Sequence, residues 1–224
     1  MGGQVATPCS NDNSRMGSKK LALIQVPIDS LRPTQMAVGM RSVKHKRRRL
    51  ESGGRKRVEK LVSGRPIPAV RGPDGNLFII DHHHFGLALW HAEIKRAFAI
   101  VIDDKSGLSQ AEFWRHMEAE GRLYPFDEEG RRIKPSGLPT GLHELRHDPF
   151  RDLAWEVREA GGFRKSKVPY AEFQWAGFFR ERISLAAVRR DHDDAVVKAL
   201  KLCRGRAASH LPGYLGSHTP KLNG

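Results

Sequence analysis

The sequence has few cysteines and no long hydrophobic run. Its two cysteines, Cys9 and Cys203, are too few for a disulfide framework or a cysteine-rich metal site. No apolar stretch approaches the roughly 18–20 residues that a membrane-spanning helix needs. The first residues are rich in glycine, serine and asparagine and lack the apolar core of a secretory signal. We therefore expect a cytoplasmic protein with no membrane partner, in which residues 1–20 form a disordered tail.

The positive charge of the chain is high and unevenly distributed. The formal net charge of +14 comes from 39 Lys and Arg against 25 Asp and Glu. Residues 41–60 contain ten basic and two acidic side chains, a net charge of +8. Such a run attracts a polyanion by counterion release, or a smaller phosphate by directed contacts, but it is equally typical of a solvated helix face. DNA is therefore a candidate partner for residues 41–60, although no interleaved aromatic residue supports stacking of single-stranded bases.

The most informative stretch is centred on Asp81. Four apolar residues at 77–80 predict a buried strand, and apolar residues at helical spacing from Phe85 onward predict a helix. Asp81 stands where the N-cap of that helix is expected. Free backbone N–H groups and the helix dipole favour an anion at such a place. The first turn of the helix carries three consecutive histidines, His82, His83 and His84.

Asp81 and these histidines offer several kinds of chemistry. Consecutive residues on a helix point about 100° apart, so the three histidines cannot share one metal ion. A histidine beside a bound phosphate can donate a hydrogen bond or act as an acid or base near neutral pH. The carboxylate of Asp81 can cap the helix, orient a histidine, hold Mg²⁺ or accept a proton from a substrate hydroxyl, and these roles compete for the same oxygens. The candidate catalytic residues are Asp81, His83 and His84, and the candidate metal carboxylates are Asp81, Asp103 and Asp104.

The first half of the chain predicts a small mixed α/β domain over residues 21–105. Its elements follow the order β-α-α-β-turn-β-α-β. A turn is expected at 29–33 after the first strand. The prolines of the strand at 66–70 predict that this strand lies at a margin of the sheet.

The second half predicts an all-helical domain over residues 106–215, followed by a tail at 216–224. From residue 108 the apolar residues recur at helical spacing. Ser109 and Glu112 form a capping-box pattern, and Asp148 with Pro149 forms an N-cap and first-turn pair.

Several segments together resemble the ParB/sulfiredoxin superfamily, whose motif after this strand is Asp-Gly-His-His-Arg or, in sulfiredoxins, Gly-Gly-Cys-His-Arg. The chain is most similar to the branch named "putative ParB-like nuclease". The matching segments are 31–35, 38–40, 80–84, 126–127, 148–151, 161–163, 173–176 and 211–214. The resemblance implies a ParB/sulfiredoxin-like α/β domain followed by a helical domain peculiar to this branch.

The resemblance also implies a nucleotide site at the histidine turn, with ATP or another nucleotide as the ligand. His83 stands where sulfiredoxins have their catalytic cysteine, so sulfinic acid reduction is not expected. Phe85 stands where the family has a phosphate-binding arginine, so other cations have to supply that charge. The implied phosphate- or nucleotide-binding residues are Gln35, Arg41, Lys44, Lys46, His82, His83 and His84.

Three functions remain open from the sequence. The first is binding of a nucleotide or a phosphorylated small molecule, with ATP-dependent phosphotransfer at the Asp81–His84 turn and Mg²⁺ as the accompanying ion. The second is DNA binding or ParB-like nuclease activity. The third is a nucleotide-sensing module without catalysis.

Overall fold

The computed structural model describes residues 22–216, which form a five-stranded mixed sheet, a two-stranded sheet and eight helices. The strands are β1 (Ala22–Pro27), β2 (Leu31–Pro33), β3 (Ala37–Val38), β4 (Ile67–Arg71), β5 (Leu77–Ile79), β6 (Arg96–Asp104) and β7 (Arg146–His147). The helices are α1 (Met40–Glu51), α2 (Arg55–Ser63), α3 (His83–His91), α4 (Gln110–Ala119), α5 (Pro149–Glu159), α6 (Ala171–Arg180), α7 (Leu185–Arg190) and α8 (His192–Arg204). The α/β class expected from the sequence is confirmed. The tails expected at 1–20 and 216–224 lie outside the described residues, except for Gly216.

The larger sheet has the strand order β1-β6-β4-β5-β2. β1 runs antiparallel to β6, and β4 runs parallel to β6 on its other side. β5 is antiparallel to β4 and parallel to the short edge strand β2. All three residues of β5 are buried, so the chain enters the histidine segment from the interior of the sheet.

β4, the strand expected at a margin, is instead the middle strand of this sheet. The carbonyl of Pro68 accepts the N–H of Ile80 at 3.0 Å. The nitrogen of Pro68 faces the same side, beyond Ile79, the last residue of β5. The missing N–H therefore costs no hydrogen bond to β6 and at most one to the carbonyl of Ile80, just past the end of β5. The proline thus fits an interior strand, and the prediction of a margin was wrong.

The turn expected at 29–33 is partly a strand. Leu31–Pro33 forms β2, in which Leu31 pairs with Leu77. A strand of three residues that ends in proline is too short to show an alternating apolar pattern, which is why the sequence did not reveal it.

Helices cover both faces of the larger sheet. One face packs against α1, α2 and α3 through residues such as Val43, Leu50 and Leu87. The other face packs against α4, where the rings of Phe78 and Phe113 lie 4.6 Å apart. The capping box predicted at the start of α4 is present. α4 belongs to the second predicted domain, yet it packs on the sheet of the first. The domain boundary expected between residues 105 and 106 stays a prediction.

Helices α5 to α8 share a separate apolar core. Trp175 is fully buried in it, with its ring 4.3 Å from the ring of Phe163. The predicted N-cap of α5 is present, because the side chain of Asp148 accepts the N–H of Phe150 at 2.9 Å. None of the helices within residues 22–216 has the length and apolar character needed to span a membrane.

Two connections join the α5–α8 core to the sheet region. β3 pairs in parallel with β7, immediately before α5. Asp152 of α5 accepts the backbone N–H of Arg41 at 2.7 Å through Oδ1. The start of α1 is therefore held against α5, close to the place where β5 leads into α3.

Candidate functional site

The turn between β5 and α3 carries the candidate residues, and its N-cap is His82 rather than Asp81. His82 has a left-handed backbone conformation with φ of 64°. Asp81, one residue earlier, accepts the N–H of His82 through Oδ1 at 2.6 Å. The side chain of His82 makes no capping hydrogen bond, and Asp81 bonds the N–H of His82 itself. The amino end of α3 therefore has no side-chain partner among the residues that the structure describes.

His83 and His84 both accept hydrogen bonds from the backbone of the segment before α1. Nε2 of His83 accepts the N–H of Thr34 at 3.2 Å, and Nε2 of His84 accepts the N–H of Gly39 at 3.1 Å. Acceptance at Nε2 requires an unprotonated nitrogen. Burial lowers the pKa of His83 to about 3, and burial together with the charge of Arg151 lowers the pKa of His84 well below its ordinary value. Both rings are therefore neutral and fix the position of the segment at 34–39.

His82 is half-buried, whereas His83 is buried. Its Nε2 lies 3.9 Å from Oδ2 of Asp81, whose side chain is 75% exposed. Burial lowers the pKa of His82, and the nearby Asp81 carboxylate partly opposes this effect. The ring of His82 interacts with the backbone of Pro66, so within residues 22–216 Asp81 is the one residue of the turn whose side chain does not hold the backbone of another segment.

A cleft of about 720 Å³ lies over this turn, bordered by α1, α5, the residues after α4 and the segment from Phe163 to Phe173. Seven cationic side chains and only three acidic ones line it. Its three histidines have lowered pKa values, so they are not counted among the cations. The cleft is therefore strongly positive. The cations are Lys46, Arg65, Arg122, Arg151, Arg158, Lys165 and Lys167, and the acids are Asp81, Glu120 and Glu172.

Lys46 is the one residue of the expected Arg41, Lys44 and Lys46 set that lines the cleft. Its Nζ donates to Oγ of Ser42 at 2.6 Å. Burial, with the charges of Arg65 and Arg158, lowers the pKa of Lys46 to about 8. Lys46 therefore carries a charge near neutral pH that an anion in the cleft would stabilise.

The other predicted binding residues are placed differently. Arg41 forms an ion pair with Glu156 at 3.2 Å, and Lys44 is exposed; neither lines the cleft. Gln35 does line the cleft, but its Nε2 donates to the carbonyl of Ala37 at 2.8 Å. The structure brings Gln35, Lys46 and the histidine turn together and leaves Arg41 and Lys44 outside.

Arg151 is a cleft residue that the sequence-based choice of binding residues did not include. It is 4% exposed, and its guanidinium carbon lies 3.8 Å from the centre of the Phe173 ring. Its Nη2 lies 3.4 Å from Oε2 of Glu172, whereas Nε and Nη1 have no hydrogen-bond partner among the described residues. Burial lowers the pKa of Arg151 to about 10. The only signal in the sequence was the matching segment 148–151, in which this arginine is an ordinary member of a helical pattern.

Asp103 and Asp104, the other candidate metal carboxylates, do not line the cleft. Asp103 forms ion pairs with Arg122 at 3.1 Å and Lys105 at 3.5 Å, and Asp104 forms one with Arg71 at 3.4 Å. Although burial alone would raise the pKa of Asp103, these cations hold it below its ordinary value. Within residues 22–216 no three His, Cys, Asp or Glu side chains gather as they would around a metal ion. The expectation of Mg²⁺ stays a prediction.

Comparison with known proteins agrees with this architecture. A family model described as "Putative ParB-like nuclease" matches residues 24–181, a range that includes the histidine turn and Arg151. The crystal structure of protein Atu1540 from Agrobacterium tumefaciens is similar to this chain, with 38% sequence identity, a TM-score of 0.81, and coverage of 88% of this chain and 100% of that one. A comparison with curated proteins finds no match. The resemblance inferred from the sequence is confirmed: the chain belongs to the ParB-like family that this model describes.

Proposed function

We propose that the protein binds the phosphate of a small molecule at the amino end of α3, with ATP or another nucleotide as the expected class of ligand. The observation that carries this proposal is the uncapped start of α3 in a cleft lined by seven Lys and Arg side chains. Helix amides and nearby cations act together on an anion, because both supply N–H donors and positive charge. The volume of about 720 Å³ lies within the range typical of small-molecule sites.

Phe85 stands where the family has a phosphate-binding arginine. In this chain Lys46 supplies the positive charge that this arginine would provide. Its Nζ has a hydroxyl partner, Ser42, and no ion pair of Lys46 with a carboxylate is present among the described residues. The charges of Arg65 and Arg158 act on it. A bound phosphate relieves this mutual repulsion of cations, which favours binding of an anion over an empty cleft.

In this proposal Asp81 is the group available for phosphotransfer, while His83 and His84 position the surrounding backbone. The Asp81 carboxylate lines the cleft and is mostly exposed. It can accept the proton of a substrate hydroxyl. A single carboxylate together with ligand phosphates is also a common arrangement for Mg²⁺, so the residues at the turn fit that ion as a companion of a nucleotide.

Calorimetric titration of ATP, ADP, CTP and inorganic phosphate, each with and without Mg²⁺, tests the proposal. We expect binding of at least one of them and a loss of about tenfold in affinity in Lys46→Met, because one charge-assisted contact is removed. Lys44→Met is the matched control, since Lys44 lies on the same helix but outside the cleft. Equal affinities of Lys44→Met and Lys46→Met, or no binding by any of the four compounds, would contradict the proposal.

Asp81→Asn separates an enzyme from a non-catalytic sensing module. If Asp81 accepts a proton during transfer, the variant keeps nucleotide affinity and loses phosphate transfer to a hydroxyl acceptor by at least about a hundredfold. A wild-type protein that binds nucleotide and transfers no phosphate to any acceptor, with or without Mg²⁺, supports the sensing module instead.

DNA binding or nuclease activity is the second candidate, and one observation favours it. Nine of the ten basic residues in 41–60 are exposed, and only Lys46 turns into the cleft. An exposed cationic face suits the phosphate backbone of DNA. The combined variant Arg48→Gln, Arg49→Gln and Arg57→Gln should reduce DNA affinity and the slope of its salt dependence while leaving phosphate binding in the cleft unchanged. An unchanged slope would contradict this candidate.

A further inference from the structure

We propose that Arg151 forms a second anion subsite in the cleft, so that the ligand carries another acidic group besides the phosphate bound at the start of α3. The proposal rests on the proposed function and deepens it. Its basis is a buried guanidinium with unused donors and a nearby buried hydroxyl without a partner, both of which line the cleft.

The guanidinium of Arg151 is poorly neutralised for a group that is 4% exposed. An arginine side chain has five N–H donors, but within residues 22–216 the one hydrogen bond of Arg151 to a side chain is that to Glu172 at 3.4 Å. Glu172 is also bound by Arg158, with which it makes a closer contact. Nε and Nη1 of Arg151 remain without a partner among the described residues. A buried charge in this state is costly, and an anion from outside would remove most of that cost.

The other carboxylates near Arg151 are engaged elsewhere. Asp148 forms an ion pair with Arg180 at 2.6 Å and caps α5. Asp152 binds His147 at 2.8 Å and the backbone N–H of Arg41 at 2.7 Å. Both raise the pKa of Arg151 through their charge, but neither accepts a hydrogen bond from the unpartnered nitrogens of Arg151. The missing acceptor is therefore best supplied by a ligand.

Tyr170 provides a second polar group without a partner on the same side of the cleft. Its hydroxyl is buried and has no hydrogen-bond partner among the described residues, and burial raises its pKa well above the ordinary value. The residue has a left-handed backbone with φ of 57° at the start of α6. Phe173, which covers the guanidinium of Arg151, lies one turn further along α6, with its ring 5.8 Å from that of Tyr170. A protonated hydroxyl and a guanidinium both donate to an anion.

The charges of several cleft cations act on the histidine turn. His82 is influenced by Arg65 and Lys165. His84 is influenced by Arg151, Lys46 and Arg158. Among these five cations only Arg151 has buried nitrogens without a hydrogen-bond partner in residues 22–216, so it is the cation to which a second anionic group would supply the missing acceptors. Either a carboxylate or a second phosphoryl group has the required charge and acceptor oxygens.

Matched pairs of probes test the subsite by calorimetry. Glycerol 3-phosphate and 3-phosphoglycerate differ in a carboxylate, and AMP and ADP differ in a phosphoryl group. We expect the member with the additional acidic group to bind about 10- to 100-fold more tightly in at least one pair. In Arg151→Gln the affinities of the two members of that pair should differ by no more than about threefold. Arg189 is an exposed residue of α7, so the control Arg189→Met should keep the preference.

Two further measurements keep the test decisive. If Arg151→Gln does not fold, Tyr170→Phe, which removes one hydroxyl, should weaken the same preference several-fold. In the wild type, the Nε–H cross-peak of Arg151 in a ¹⁵N spectrum should shift with the member that has the additional group and not with its partner. Preference in the carboxylate pair identifies a carboxylate, and preference in the nucleotide pair identifies a phosphoryl group.

The outcomes distinguish this inference from the proposed function. If glycerol 3-phosphate or AMP binds in a Lys46-dependent manner but no preference depends on Arg151 or Tyr170, the subsite is absent and the proposed function stands. If none of the four probes binds but ATP, CTP or inorganic phosphate does, the subsite alone is contradicted. If these three also fail to bind, both the subsite and the proposed function fail.

Discussion

The ring of His84 accepts the backbone N–H of Gly39 at 3.1 Å, which ties the first turn of α3 to the N-cap residue of α1. His83 does the same for Thr34 at 3.2 Å. Histidines that look catalytic in the sequence thereby act as acceptors for a neighbouring segment. Their contribution to a phosphate site is the placement of α1, and with it Lys46, over the amino end of α3.

Replacement of His84 should lower stability according to how well the new side chain accepts a hydrogen bond. We expect His84→Ala to lower the free energy of unfolding by about 2–3 kcal/mol, because the N–H of buried Gly39 loses its acceptor and a cavity forms. His84→Gln retains an acceptor and should lose less. Urea unfolding measures both, with the exposed His210→Ala as the control. Equal losses in the alanine and glutamine variants would argue against the acceptor role.

Stability should decrease as the pH falls below 6.5. Burial lowers the pKa of His83 to about 3 in the folded protein, whereas the ordinary value of 6.5 applies to the unfolded chain. Between these two pH values the unfolded chain therefore takes up a proton that the folded chain does not. The free energy of unfolding then falls with decreasing pH by about 1.4 kcal/mol per unit for such a residue. Denaturation between pH 6.5 and 5, where most carboxylates remain ionised, should give a smaller slope in His83→Gln. Identical slopes would refute the assignment of a neutral buried His83.

Affinity for phosphate should decrease between pH 7 and pH 9. Lys46 has a pKa of about 8 because of burial and the neighbouring Arg65 and Arg158, so it loses its charge in this range, whereas a phosphate monoester is already a dianion above its second pKa of about 6. The bound anion should also raise the pKa of Lys46. Calorimetry at several pH values should show the decrease in Lys44→Met and a nearly flat profile in Lys46→Met. A decrease of equal size in both variants would assign the titration to another group.

Gly39→Ala should destabilise the protein strongly. A Cβ at Gly39 would lie 2.5 Å from Oδ1 and 2.9 Å from the backbone nitrogen of Asp152. Oδ1 holds the start of α1 by accepting the N–H of Arg41, and the nitrogen belongs to the backbone of α5. Neither atom can move away freely, so we expect a loss of about 2–4 kcal/mol. Gly177→Ala, where a Cβ has no neighbour within 4 Å and lies inside α6, should be neutral or stabilising by about 0.5–1 kcal/mol. Thermal unfolding of the two variants compares them, and similar melting temperatures would contradict the tight contact at Gly39.

The local elements around the site were predictable because they depend on short-range patterns. The apolar run before Asp81 and the helical spacing from Phe85 specify β5 and α3, and Ser109 with Glu112 specifies the start of α4. Strand order was not predictable in this way. Proline in β4 suggested an edge, and only the end of β5 beside Pro68 shows why an interior position accepts it.

The choice of binding residues shows the same division. Lys44 and Lys46 are equally good candidates in the sequence, and the packing of α1 against α3 and α5 turns only Lys46 into the cleft. Arg151 is far from the histidines in sequence and joins them through the contact between α5 and the start of α1. By itself, the sequence determined the fold class, the family and the position of the histidine turn, because these follow from local periodicity and motif. The tertiary structure alone decided which cations surround that turn and which imidazole nitrogens are already occupied, because both depend on contacts between segments more than forty residues apart.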